Sequence, residues 1–125
     1  MFEQMKTMGA IAGLLKNKDK LKQVGEDFRE RIGKLRVTGV AGGSAVRVTI
    51  TGQLEITEVF IERNAVAGAA QGGDEGREML QQLVQEATND AIKRVQALIA
   101  EEAKKISAEL DLPPMPGLEK MLTGG

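Results

Sequence analysis

Apolar residues fall at helical spacing from Ile11 to Leu35, at every second position from Leu35 to Ile61, and at helical spacing again from Leu80 to Ile106. In the first stretch Leu14, Leu21, Phe28 and Leu35 are seven apart, whereas the companion series Ile11, Lys18, Gly25 and Ile32 is only half apolar. That spacing predicts a long amphipathic helix with an incomplete coiled-coil seam. Gly25 and Gly33 each cost about 1 kcal/mol inside a helix. They either let another backbone come close or are simply tolerated.

The period-two stretch predicts three strands. Leu35 and Val37 alternate with Arg36 and Thr38, and Val46, Val48 and Ile50 alternate with Arg47, Thr49 and Thr51. Leu54 and Ile56 share a face, after which Val59 and Ile61 are apolar with Phe60 between them. The slip near Thr57–Glu58 implies a bulge or a strand end buried on both faces. With turns at Gly39–Gly43 and Gly52–Gln53, the pattern is an antiparallel meander. Residues 64–76, rich in Ala and Gly, have no strong period and read as a flexible loop, with Asp74 as an N-cap for the next element. A second long helix is expected from about Glu75 to Leu110. Its apolar stripe is Leu80, Leu83, Val84, Ala87, Ala91, Val95, Leu98 and Ile99, with Ile92, Ile99 and Ile106 a heptad apart. The Pro/Gly-rich tail from Leu112 to Gly125 reads as extended, with a short turn at Leu118–Leu122.

The expected fold is α+β: a long N-terminal helix, a three-stranded antiparallel meander and a long C-terminal helix. It forms one domain over residues 1–112, followed by a tail at 113–125. Helices of about 40 and 50 Å overhang strands of about 17–30 Å. One three-stranded sheet also leaves an open edge and an uncovered apolar face. A symmetric homodimer with the helices as projecting arms resolves both faults.

Composition removes most enzyme chemistry. The 125 residues contain no His, Cys, Trp or Tyr. Disulfides, thiolate nucleophiles, Cys/His zinc sites and imidazole bases are therefore excluded, and only three Phe remain for base stacking. Gly39-Val40-Ala41-Gly42-Gly43-Ser44 lacks the Gly-Lys-Ser/Thr of a phosphate loop, and Gly72-Gly73-Asp74-Glu75-Gly76 places carboxylates where phosphate would sit. The pairs Asp74-Glu75 and Glu101-Glu102 read as exposed helix charge, and Glu101 with Lys105 as an i,i+4 support pair. No cofactor, metal, small-molecule substrate or catalytic role is expected. The longest mostly apolar stretch, Met8–Leu15, is far short of the roughly 20 residues of a membrane span. No signal-peptide pattern precedes it, so a cytoplasmic protein is expected.

Net charge is −1, but it is divided along the chain. Residues 1–36 carry nine Lys/Arg against five Asp/Glu, and residues 74–111 carry five against nine. The basic cluster Lys16, Lys18, Lys20 and Lys22, continued by Arg29, Arg31 and Lys34, covers a broad face of the first helix. Cations on a rigid rod are suited to phosphates. A solvated helix face is the alternative.

The chain resembles the YbaB/EbfC family of bacterial nucleoid-associated proteins over nearly its whole length. Four places carry the resemblance. They are the Met-Phe start with a Met/Lys-rich first helix leading to Leu35-Arg36-Val37-Thr38-Gly39, and the glycine turn and strand from Gly42 to Gly52. The others are Leu83-Val84-Gln85-Glu86-Ala87-Thr88-Asn89-Asp90-Ala91 and the tail Leu112-Pro113-Pro114-Met115-Pro116-Gly117. Two departures are a longer small-residue loop at Val66–Gly73 and the glycines Gly25 and Gly33. The resemblance implies a tweezer-like homodimer that binds double-stranded DNA with low or variable sequence specificity and compacts or regulates it. Such a protein would be nucleoid-associated, gripping mostly phosphates. The alternative is a dimeric structural or adaptor protein whose helical arms bind another protein. Asn89 and Asp90 read either as a ligand-facing pair or, preferably, as a hydrogen-bonded anchor to a strand, a turn or the dimer partner.

Overall fold

The computed structural model describes residues 18–109, without the side chains of Lys18, Lys20 and Leu21. Residues 11–17 of the expected first helix and the tail from Leu112 to Gly125 lie outside the described residues. The elements in order are α1 (Lys18–Gly33), β1 (Arg36–Ala41), β2 (Val46–Thr51), β3 (Ile56–Ile61), α2 (Arg63–Gln71) and α3 (Gly73–Glu109). They group into two compact units. One is Lys34–Leu98, and the other joins the chain before Lys34 to the chain from Ile99 onward.

In the Lys34–Leu98 unit the strands form an antiparallel sheet of order β1-β2-β3. Val37, Gly39 and Ala41 pair with Ile50, Val48 and Val46, which in turn pair with Ile56, Val59 and Ile61. Strand side chains alternate, so these nine residues line one face. The opposite face carries Arg36, Thr38, Val40, Arg47, Thr49, Glu58 and Phe60. The Thr38 and Thr49 hydroxyls are 3.0 Å apart across the strands. The expected slip is a bulge: Thr49 pairs with Glu58 but Ile50 with Ile56, leaving Thr57 as the extra residue.

Gly39 does not turn the chain, as its neighbours had implied, but lies inside β1. A Cβ there would run into the Ala87 carbonyl oxygen and the Ala91 nitrogen of α3 and come within 2.8 Å of the Ala91 Cα. Glycine is needed because a helix backbone rests on the strand, and the helix meets it with alanines that are themselves fully buried. The first turn is instead at Gly42, Gly43 and Ser44, three successive left-handed residues with φ of 63°, 64° and 73°. At the second turn Thr51 is buried, and its hydroxyl accepts the N–H groups of Gln53 (3.1 Å) and Glu55 (3.3 Å). Leu54 belongs to this turn rather than to β3, at a φ of 65°.

Coverage of the apolar face is uneven. Val46, Val48 and Ile50 are buried, with Ala87, Ala91 and Val95 of α3. On β3, however, Ile56 is 52% and Val59 49% exposed. The expectation that this strand end is buried on both faces is therefore overturned, because α3 rests on the β1 side of the sheet.

The loop expected at residues 64–76 is also overturned. Residues 63–71 form α2, and α3 begins at Gly73, so Asp74 lies in the first turn of α3 and pairs with Arg77 at 3.6 Å instead of capping it. Alanine, the strongest helix former, outweighs the missing period. The Gly72 N–H donates to the Gly68 carbonyl at 2.9 Å, and a Cβ on Gly76 would lie 3.0 Å from the Ala69 Cα. The small residues thus make a tight connection between two helices.

In the other unit Val24, Gly25, Phe28 and Ile32 of α1 are buried, as are Ala103, Ile106 and Ser107 of α3. Phe28 and Ile32 come from the two expected heptad series. The Ser107 hydroxyl donates to the Ala103 carbonyl at 3.0 Å, which satisfies it within the helix. The helix α1 ends at Gly33, before Leu35.

Two alanine substitutions separate these glycine roles. Gly68 has nothing within 4 Å of its would-be Cβ and sits in a helix. Gly68→Ala is expected to raise stability by about 0.5–1 kcal/mol in urea unfolding. Gly39→Ala is expected to lower it by about 3 kcal/mol, since the obstruction is backbone and cannot rotate away. A neutral Gly39→Ala would contradict the close contact.

Candidate nucleic-acid interface

The seven basic residues singled out in the sequence do not share one environment. Lys16 lies outside the described residues, as do the side chains of Lys18 and Lys20. Lys22 and Arg29 are exposed on α1. They are seven residues apart, two helical turns, and so lie on one face about 10 Å apart along the axis. Lys34 is exposed just beyond the helix. Arg31 differs: it donates a hydrogen bond to Glu109 Oε2 at 2.8 Å and lies 4.0 Å from Glu102 Oε2. The hydrogen bond to Glu109 pushes the Arg31 pKa above its ordinary value, and the charge of Glu102 adds to it. Arg31 therefore ties α1 to the end of α3.

The same sorting holds on α3. Arg94 is held by Asp90 at 3.0 Å, Arg77 by Asp74, and Lys105 by Glu102 at 3.3 Å. The expected Glu101–Lys105 pair is replaced by this i,i+3 pair from Glu102. Lys93 and Lys104 are exposed. On the polar face of the sheet Arg36 and Arg47 are exposed, and the Arg47 guanidinium lies 4.2 Å from the centre of the Phe60 ring. Sequence spacing gave no hint of this pairing. It follows from the strand register, which sets Arg47 opposite Phe60.

Asp90 resolves as an anchor. Its Oδ2 accepts the Val40 N–H at 3.0 Å and the Arg94 Nε–H at 3.0 Å. β1 is an edge strand, so alternate N–H groups point away from the ladder. Asp90 satisfies the one at Val40, beside Gly39. That backbone hydrogen bond is the largest cause holding the Asp90 carboxyl below its ordinary range; partial burial opposes it and Arg94 assists it. Asn89 is exposed, and its side chain hydrogen-bonds no described residue.

Among the described residues no three or more Asp or Glu cluster as a metal site, and no helix is long and apolar enough to cross a membrane. An open groove is lined by Phe60, Ile61, Arg63, Val66 and Ala67. It is a largely apolar surface with one cation, unlike a phosphate cradle.

The depressed Asp90 carboxyl sets the sign of a pH effect. A carboxylate with a lowered folded pKa contributes stability above its unfolded value of 3.8, and that contribution is lost as pH falls through the folded value. Asp90→Asn is expected to melt below wild type at pH 7, with the gap closing at pH below 3.8. A gap unchanged down to a pH of about 2.5 in thermal melts would contradict the role of the charge.

The model of the YbaB/EbfC DNA-binding family matches residues 7–110. A nucleoid-associated protein of Bartonella bacilliformis is 30% identical over 107 residues, which are 86% of this chain and 94% of the relative. Another, from Polynucleobacter necessarius, is 32% identical over 106 residues, 85% of this chain and 92% of the relative. Among solved structures, an uncharacterized protein from Helicobacter pylori superposes with a TM-score of 0.59 at 24% identity, covering 77% of this chain and 91% of its own. That likeness bears on the fold.

Proposed function

The chain belongs to the YbaB/EbfC DNA-binding family, and on that premise we propose that it binds double-stranded DNA as a homodimer, largely through phosphates and with low sequence specificity. It would then contribute to DNA compaction or gene regulation in the nucleoid, where its relatives' names place them. It carries no catalytic role in this reading.

The observation that carries the reading is the contrast between cations held by carboxylates and cations facing solvent. Arg31, Arg77, Arg94 and Lys105 are neutralised by acids of the chain itself. Lys22 and Arg29 are exposed on one face of α1 and form no ion pair with a described residue. Exposed cations in a row meet a polyphosphate at little desolvation cost and carry no base-reading geometry. Lys34 and the cluster Lys16, Lys18 and Lys20 extend the proposed site. The homodimer is supported by Ile56, Val59 and Val66, which leave an apolar surface on β3 and α2 open to water. That surface also favours a second reading, an adaptor that binds a different protein.

Binding to a random-sequence duplex, followed by fluorescence anisotropy across a salt series, tests the proposal. Log affinity should fall linearly with log salt, with a slope of about −0.9 per phosphate neutralised. Changing Lys22 and Arg29 together to Gln, a good helix former, should flatten the slope by about 0.9 for each phosphate no longer neutralised and weaken all sequences alike. Arg31→Gln should leave the slope unchanged, since Arg31 is already occupied by Glu109. If wild type binds no duplex at about 50 mM salt, where phosphate binding is strong, the adaptor reading replaces this one.

A further inference from the structure

Leu54 stands where leucine is disfavoured on two counts. It lies in the turn between β2 and β3 with a φ of 65°, a left-handed conformation that suits Gly, Asn or Asp and strains a bulky apolar residue. It is also 54% exposed. Neither the backbone nor the core selects leucine here, and asparagine would relieve both faults. The turn that carries it is firmly closed. The Leu54 N–H donates to the Thr51 carbonyl and the Thr51 N–H to the Glu55 carbonyl, both at 2.9 Å. The buried Thr51 hydroxyl accepts the Gln53 and Glu55 N–H groups. The Gly52 N–H donates to the Leu35 carbonyl at 3.2 Å, which docks the turn against the chain entering β1. An apolar side chain is thus held out to solvent on a fixed support.

The neighbouring residues suit a duplex groove. Lys34 and Arg36 flank Leu35 and are exposed, and Arg36 lies opposite Thr51 in the strand register. Arg36 Nη1 donates to the same Leu35 carbonyl at 2.9 Å, so its guanidinium lies beside the turn. Gln53, next to Leu54, is exposed, and Glu55 is the one carboxylate of the turn. Proteins that enter the minor groove combine Arg, Lys or Gln with an apolar wedge such as Leu, which unstacks a base step and kinks the duplex. We propose that the β2–β3 turn is such a wedge: Leu54 enters between base pairs from the minor groove, at an easily unstacked pyrimidine–purine step. Arg36 and Lys34 meet the flanking phosphates, and Gln53 donates to acceptors on the groove floor. The inference rests on the duplex binding proposed above and adds a bending activity to it. Phosphate contacts alone coat a duplex, whereas a wedge changes its path and so compacts it.

A duplex of about 30 base pairs with one central TA step tests the wedge at about 50 mM salt. Dyes at its ends report bending by energy transfer, and a fluorescent adenine analogue at the TA step reports unstacking. Wild-type protein, at concentrations that saturate the duplex by anisotropy, should raise energy transfer, as a kink of about 20–90° requires, and brighten the analogue. Leu54→Asn should melt no lower than wild type, since asparagine tolerates the left-handed backbone. It should still bind through phosphates, and at saturation it should leave both signals near those of free duplex. Wild type that binds no duplex would overturn the proposed function and the wedge together. Wild type that saturates the duplex without changing either signal would overturn the wedge and leave phosphate binding standing. Leu54→Asn that bends and unstacks the duplex as wild type does would have the same meaning. A Leu54→Asn variant that melts far below wild type would show that the side chain serves the fold, and would also overturn the wedge.

Discussion

The backbone of α3 lies directly against β1 at Gly39, and the rest of the Lys34–Leu98 unit follows from that contact. A strand and a helix approach this closely only if neither brings a side chain larger than a methyl group. Gly39 supplies the strand side, and Ala87 and Ala91 supply the helix side. At the next strand residue, Asp90 reaches the Val40 N–H, which edge position would otherwise leave to water. Helix and strand are thereby joined by packing and by a charge-assisted hydrogen bond at adjacent residues. The Asn-Asp-Ala sequence of the long helix is thus explained by one of its polar residues and its alanine, while Asn89 stands outside the contact.

Holding α3 at β1 has a consequence on the other side of the sheet. One helix covers only part of a three-stranded face, so the β2 residues Val46, Val48 and Ile50 are buried and the β3 residues Ile56 and Val59 are not. The short helix α2 buries none of its own residues and adds Val66 to the open surface. The same chain that leaves apolar surface uncovered neutralises many of its cations internally. Surface available to a partner is therefore of two kinds: an apolar edge at β3, and exposed lysines and arginines on α1 and α3.

Much of this was legible in the sequence because periodicity reports burial. The alternation through Val46, Val48 and Ile50 located a strand with one buried face, and the stripe through Ala87, Ala91 and Val95 located the buried side of the long helix. The break of phase near Thr57 revealed the bulge. Residues 63–71 were misread because α2 buries nothing and so has no apolar period to show; alanine content was the remaining signal. Gly39 was misread as a turn because a glycine that admits a helix backbone and one that bends the chain look alike in sequence. The candidate basic face was legible only as composition. Which cations are held by carboxylates depends on partners as distant as Glu109 from Arg31, and no local pattern shows that.

The join between β1 and α3 is tested most directly by amide hydrogen exchange at Val40, followed by NMR near neutral pH. Val40 has no strand partner for its N–H, so protection there can come only from Asp90 and the seating of α3. The expected result is slow exchange at Val40, comparable to the ladder amides of β2, and a large acceleration at Val40 in Asp90→Ala while the β2 amides stay slow. Rapid exchange at Val40 in the wild-type protein, at the rate of an exposed edge amide, would contradict the join.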